Sequence, residues 1–214
     1  MIEVGVPFSD PLADGPVIQG SSQRALEQGM TLAGTLELIH DAALPVPVVL
    51  FSYLNPLIAA GADVLTRAAH AGVSGILVTD LPVGADPVRE AWLGGGPLEF
   101  VRLVAPTTPT ARMAEIAQHG RGFVYLISRL GVTGMQEHVA AGLPSTVARL
   151  RTVCALPICV GFGISTAAHA REVGALADGI VVGSALVRAA ETSVESALAL
   201  VGALRAALDD SAAA

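Results

Sequence analysis

Short apolar runs recur along this chain at residues 46–51, 75–79, 98–104, 122–127, 157–160 and 179–182, and residues 2–6 add a seventh. Several are continuously hydrophobic rather than alternating, the pattern of strands covered on both faces of a parallel sheet. Helical patterns lie between them at 31–43, 58–71, 109–119, 143–153, 166–173 and 185–208; in the first, Leu32, Leu36 and Ile39 share one side. Strand and helix alternate with no change of composition, which predicts one α/β domain over residues 1–214. Seven strands are one short of a TIM (β/α)8 barrel, and the shortfall lies at the N-terminus. A doubly wound sheet fits the same alternation.

Composition narrows the chemistry. Hydrophobic residues make up 52% of the chain and charged residues 14%, which excludes a disordered chain or a coiled coil. With a net charge of −7 and no basic cluster, the chain lacks the equipment for nucleic-acid binding. All twelve cations are arginine. Without lysine there is no Schiff base, no covalent hold on pyridoxal phosphate and no P-loop. Cys154 and Cys159 have no CxxC partner and read as buried packing residues in a reducing cytoplasm. No metal-ligand spacing is present, and the five histidines read as surface or capping residues. The start of the chain lacks the features of a signal peptide. Residues 42–62 carry no charge and are long enough to span a bilayer. Pro45, Pro47, Asn55 and Pro56 within them predict instead a strand, a turn and a helix in a soluble protein.

Two groups of residues carry chemistry. The run ending at Val160 continues into Gly161-Phe162-Gly163-Ile164-Ser165, and the run ending at Val182 continues into Gly183-Ser184, each followed by a helix. Glycine admits a ligand to the backbone and a helix start presents free amides, so two such junctions at the last two strands outline a phosphate cradle. Tight βα turns alone would account for either one. The second group is Glu3, inside an apolar strand, and Asp14, in a proline-stiffened loop eleven residues on. A buried carboxyl facing a loop carboxyl suits general acid/base work. The same pattern also fits a glutamate solvated at a chain end and aspartates that cap turns.

The segment EVGVPFSDPLADGPVIQ closely resembles the signature of the tryptophan synthase alpha subunit. So do VLFSYLNP, ILVTDLP, FVYLISRLGVTG, CVGFGIS and IVVGSALV, in that family's order and spacing, from Ile2 to about Ala207. The resemblance implies a TIM (β/α)8 barrel lacking its first β/α unit, with strand edges left open. It implies a lyase that cleaves indole-3-glycerol phosphate by a retro-aldol reaction to indole and glyceraldehyde 3-phosphate, in tryptophan biosynthesis in the cytoplasm. By the same resemblance Glu3 is the proton-shuttling glutamate and Asp14 the aspartate that binds the indole N–H. Tyr125 lies near the glycerol and Tyr53 on the indole side. Gly134, Gly163, Gly183 and Ser184 hold the phosphate, and Thr133 is a lid residue closing beside Asp14. Asp10, Pro11 and Asn55 face the beta subunit of an alpha2beta2 heterotetramer, and Asp80 occupies a position that signals toward it. Pyridoxal phosphate belongs to that partner, so the chain itself needs no cofactor. A non-catalytic module docking on the beta subunit, or another phosphate-binding barrel enzyme, remains an alternative at this point.

Overall fold

The computed structural model describes residues 1–128, 142–161 and 163–212. Seven parallel strands pair in chain order, each with the next: β1 (Ile2–Gly5), β2 (Val48–Ser52), β3 (Val73–Val78), β4 (Glu99–Val104), β5 (Val124–Ile127), β6 (Ile158–Gly161) and β7 (Gly179–Val181). Such an order, with a crossover between every neighbouring pair, is that of a TIM barrel rather than a doubly wound sheet, whose strand order reverses. The outer edges of β1 and β7 have no strand partner among the described residues. The first β/α unit of the barrel is not among them either.

The central strands β2 to β6 are largely apolar because both of their faces are covered. Val49, Leu77, Val101, Phe123 and Tyr125 alternate onto the inner face and form one cluster, with Phe51, Leu103, Ile127, Cys159 and Val181 packed against it. The other set points outward to the helices. Leu50, Ile76 and Phe100 meet Leu36 and Ile39 of α2 (Leu32–Ala42) and Val64 and Ala68 of α4 (Val64–His70). Val124, Leu126, Ile158 and Val160 meet Met113 of α6 (Thr110–Gln118) and Val147 and Leu150 of α7 (Leu143–Arg151). Each Leu or Ile so buried stabilises the fold by about 1.5–3 kcal/mol relative to an exposed one.

Residues 42–62 form β2 and then the short helix α3 (Leu54–Ala59). Among the described residues no helix is long and apolar enough to cross a membrane. The helix expected over 58–71 is in fact two, α3 and α4. Gly61 stands between them at φ +96°, a conformation that ends a right-handed helix. The expected helix 185–208 likewise divides into α9 (Ser184–Thr192) and α10 (Val194–Ala212), because Ser193 is extended and its hydroxyl accepts from the Ser196 N–H. Two further helices, α1 (Pro16–Glu27) and α5 (Pro87–Gly94), each begin at a proline, which fits a first helical position; the Asp86 carboxylate caps α5 through the Val88 and Arg89 N–H groups. Helix α8 (Ala167–Gly174) starts from Thr166, whose hydroxyl accepts from His169 N–H. Helix α1 packs on α9, where Arg24 pairs with Glu191.

One outward strand residue is charged. Arg102 on β4 is buried, stacks 3.7 Å over the Phe100 ring, and donates to Glu90 of α5 at 2.9 Å, to Leu81 O and to His119 O. Glu90 in turn accepts from Gly84 N–H at 2.6 Å. Removing one member of a buried pair strands the other, at a cost of about 3–5 kcal/mol. Arg102→Ala is therefore expected to lower the unfolding free energy by an amount in that range, read in urea as a lower midpoint with an unchanged m-value. Arg205→Ala, which breaks an exposed i,i+4 pair with Asp209, should shift it by less than about 0.5 kcal/mol.

Candidate active site

In a parallel sheet every loop that leaves a strand's carboxyl end emerges on one side, and the candidate residues lie there or on the inner face below. Glu3 sits in the middle of β1, opposite Val49 of β2. Its Oε1 is buried and meets no hydrogen-bond partner among the described residues. Burial without compensation pushes its carboxyl up to about 7.

Asp14 lies on the loop between β1 and α1. That loop is tied at several points. Ser22 of α1 accepts from Phe8 N–H at 2.8 Å and donates to Phe8 O at 3.1 Å, while Gln19 donates to Asp14 O at 2.9 Å. Tyr53, the residue after β2, packs its ring on Phe8 with centroids 5.2 Å apart. The Tyr53 hydroxyl accepts from Ala13 N–H at 2.9 Å and donates to Asp14 Oδ2 at 2.8 Å. Burial raises the Asp14 carboxyl above its usual value, and the Tyr53 hydrogen bond opposes that rise.

Tyr125 on β5 points inward and is buried. Burial lifts its phenol well above the usual tyrosine value, and the nearby Glu3, Cys159 and Asp14 add to the lift. Thus Glu3, Asp14, Tyr53 and Tyr125 form one group. Gly161 makes room for it: a Cβ there would stand 2.0 Å from the Tyr125 hydroxyl oxygen. Its function is invisible without knowing where the Tyr125 ring lies, although the glycine itself stands in the sequence as part of the strand's end. Cys159 faces inward beside this group and, like Cys154, is only partly buried, against the expectation of full burial. Burial raises the Cys159 thiol to about 11, so it is protonated at neutral pH.

The remaining candidates occupy neighbouring loops. Gly163 follows β6 at φ +78°, a conformation that favours glycine. Gly183 precedes the first turn of α9, with Ser184 the first residue of that helix, and all three are exposed. Thr133 and Gly134 lie outside the described residues. Asp10 is exposed and accepts from the Ser9 hydroxyl at 2.5 Å, Pro11 is half-buried, and Asn55 is exposed on α3. Asp80 accepts from Leu54 N–H at 2.8 Å and so fastens the start of α3 to the end of β3. His40, His70 and His119 are exposed as expected, whereas His169 is buried on α8; His138 lies outside the described residues. Among the described residues no group of three or more His, Cys, Asp or Glu side chains could hold a metal ion.

A buried carboxyl that titrates near neutrality and a second, hydrogen-bonded carboxyl on the loop above it are equipped to move protons. The sequence as a whole matches the family model described as tryptophan synthase alpha chain over residues 1–212. The chain belongs to the tryptophan synthase alpha chain family. The tryptophan synthase alpha chain of Opitutus terrae is 51% identical over 191 residues, 87% of this chain and 71% of that protein. The alpha chain of Chromobacterium violaceum is 46% identical over 217 residues, 97% of this chain and 83% of that one. Among solved structures, Mycobacterium tuberculosis tryptophan synthase superposes with a TM-score of 0.89 at 35% identity, covering 97% of this chain and 80% of that one. The alpha subunit from Legionella pneumophila gives 0.85 at 31%, covering 97% and 81%.

The raised Glu3 carboxyl has a consequence for stability in this alpha chain. A carboxyl whose folded value exceeds its unfolded one favours folding while protonated, and that contribution is lost as pH rises through the folded value. Between pH 4.5 and about 7 the ionised Glu3 therefore costs the fold progressively more. Glu3→Gln should be more stable than the unaltered protein at pH 8, by up to about 3 kcal/mol. The gain should vanish near pH 4.5, as read by urea unfolding at the two pH values.

Proposed function

We propose that this chain catalyses the alpha reaction of tryptophan synthase, the retro-aldol cleavage of indole-3-glycerol phosphate to indole and glyceraldehyde 3-phosphate, with residues 1–214 acting as one domain. The observation that carries the reading is the Glu3 carboxyl, raised to about 7, whose Oε1 is buried without a hydrogen-bond partner among the described residues, set in one group with Asp14 and Tyr125.

The chemistry needs an electron sink, and this chain has no lysine to form an imine with. The indole ring serves once it is protonated at C3. Glu3 in its acid form delivers that proton, which dearomatises the ring and makes it electron-poor. Asp14 accepts the indole N–H and balances the charge that develops on nitrogen. The carboxylate left on Glu3 then takes the proton of the adjacent glycerol hydroxyl. The O–H electrons form the aldehyde carbonyl as the carbon–carbon bond breaks, and that bond's pair restores the aromatic ring. One proton goes in and one comes out, so no redox partner is required. A carboxyl near neutrality fits both halves, since acid and base forms are each populated. Tyr125 borders the glycerol side. Gly163, Gly183 and Ser184 supply backbone N–H groups and a hydroxyl for the phosphate at the start of α9.

The partner is the beta subunit, met through Asp10, Pro11 and Asn55 in an alpha2beta2 complex in the cytoplasm. The pyridoxal phosphate of that complex is the beta subunit's, and the chain described here uses no cofactor of its own.

Indole release from indole-3-glycerol phosphate with beta subunit present tests the reading. Glu3→Gln, isosteric but unable to exchange a proton at neutrality, should lower kcat by about 10²-fold or more with KM little changed. Equal rates in the two proteins would refute the assignment. A folded parent that binds the beta subunit but releases no indole would leave a docking module.

A further inference from the structure

We propose that Tyr53 is the positioning residue of Asp14: its hydroxyl, fixed as a one-way donor, keeps the aspartate ionised and oriented, and turnover depends on Tyr53 through Asp14 rather than through contact with substrate. The inference rests on the reading of Asp14 as a catalytic carboxylate.

Tyr53 is buried, and its ring is held against Phe8 at a 34° tilt. Its oxygen is occupied by Ala13 N–H at 2.9 Å, and the Thr79 hydroxyl of the β3 end lies beside it. The phenolic proton is thereby directed to Asp14 Oδ2 at 2.8 Å. Burial and the neighbouring carboxylate lift the phenol well above its usual value, so it stays protonated over the whole working range. Because Ala13 and Asp14 are adjacent, the one hydroxyl grips the loop through backbone and side chain together. Tyr53 engages Oδ2, and among the described residues Oδ1 is the oxygen left for a substrate N–H.

Among the described residues, the titratable groups coupled to Asp14 are Tyr53 after β2 and Tyr125 on β5, both phenols. Burial raises the Asp14 carboxyl, and the Tyr53 hydrogen bond is what opposes it. Removing the hydroxyl leaves burial unopposed, so the ionised fraction of Asp14 falls on the acid side. The Ala13 N–H loses its acceptor in the same step.

The test is the pH profile of indole release with beta subunit present, for the unaltered protein, Tyr53→Phe and Asp14→Asn. Taking the ratio of variant to parent at each pH cancels the titration of Glu3, which both proteins share. The deficit of Tyr53→Phe should be about tenfold or more at pH 6 and shrink to about threefold or less at pH 9, carried by kcat rather than KM. Replacement of Tyr53 by 3-fluorotyrosine, a stronger donor of the same shape, should move the acid limb the opposite way. A 13C titration of the Asp14 carboxyl in the same proteins reads the shift without turnover. A deficit that is constant with pH and lies in KM would overturn the proposal in favour of a substrate contact, as would profiles that coincide with the parent's. Full activity in Asp14→Asn would instead remove the catalytic reading of Asp14 on which the proposal stands.

Discussion

The parallel pairing of β1 with β2 is the constraint on which the site depends. Four residues, Ile2 to Gly5, lie against Val48 to Phe51, and this short ladder holds Glu3 on the inner face opposite Val49. The pairing extends past the strand, since Val6 N–H donates to Phe51 O at 2.9 Å. With its register fixed, Val4 and Val6 pack into the helix-side core while Glu3 faces the interior. A slip of one residue would turn the carboxyl outward and undo the desolvation that brings it toward neutrality.

Arg102, which is buried, and Glu3, which is half-buried with its Oε1 out of solvent, show how differently the fold treats its two faces. Arg102 points to the helix layer and is fully engaged by a carboxylate, two carbonyl oxygens and an aromatic face. Its charge is compensated, and what it fastens is scaffold: the start of α5, the loop at Leu81 and the end of α6. Glu3 points inward among Val49, Tyr125 and Cys159, with its Oε1 unmatched among the described residues. A buried polar atom left unmatched costs roughly 1–3 kcal/mol, and such strain persists where the rest of the structure over-determines it.

Much of this was legible in the sequence. Apolar runs located all seven strands, because burial on both faces writes itself as unbroken hydrophobicity. Glu3 stood out for the same reason, as a carboxylate interrupting such a run. Features decided by a single backbone angle or by contacts distant in sequence were not legible. The helix expected over 58–71 breaks at Gly61, and periodicity does not register one left-handed residue. The Tyr53–Asp14 hydrogen bond joins positions 39 residues apart and needs the β1 and β2 loops already side by side. Resemblance places Tyr53 on the indole side; that its hydroxyl holds the Ala13–Asp14 loop is visible only in the structure.

These observations give the two carboxylates different physical characters. Glu3 owes its raised value to desolvation, with no donor to its Oε1 among the described residues, so it exchanges protons near neutrality. Asp14 is desolvated as well and its carboxyl is raised, but a phenol that does not ionise in the working range donates to it and opposes the rise, a stabilisation of the charged form that Glu3 lacks among the described residues. A reaction that both delivers and removes a proton needs the first kind of group. Stabilising positive charge on an indole nitrogen needs the second. The difference arises from one hydroxyl at the end of β2, and β1 and its loop supply both acids within twelve residues.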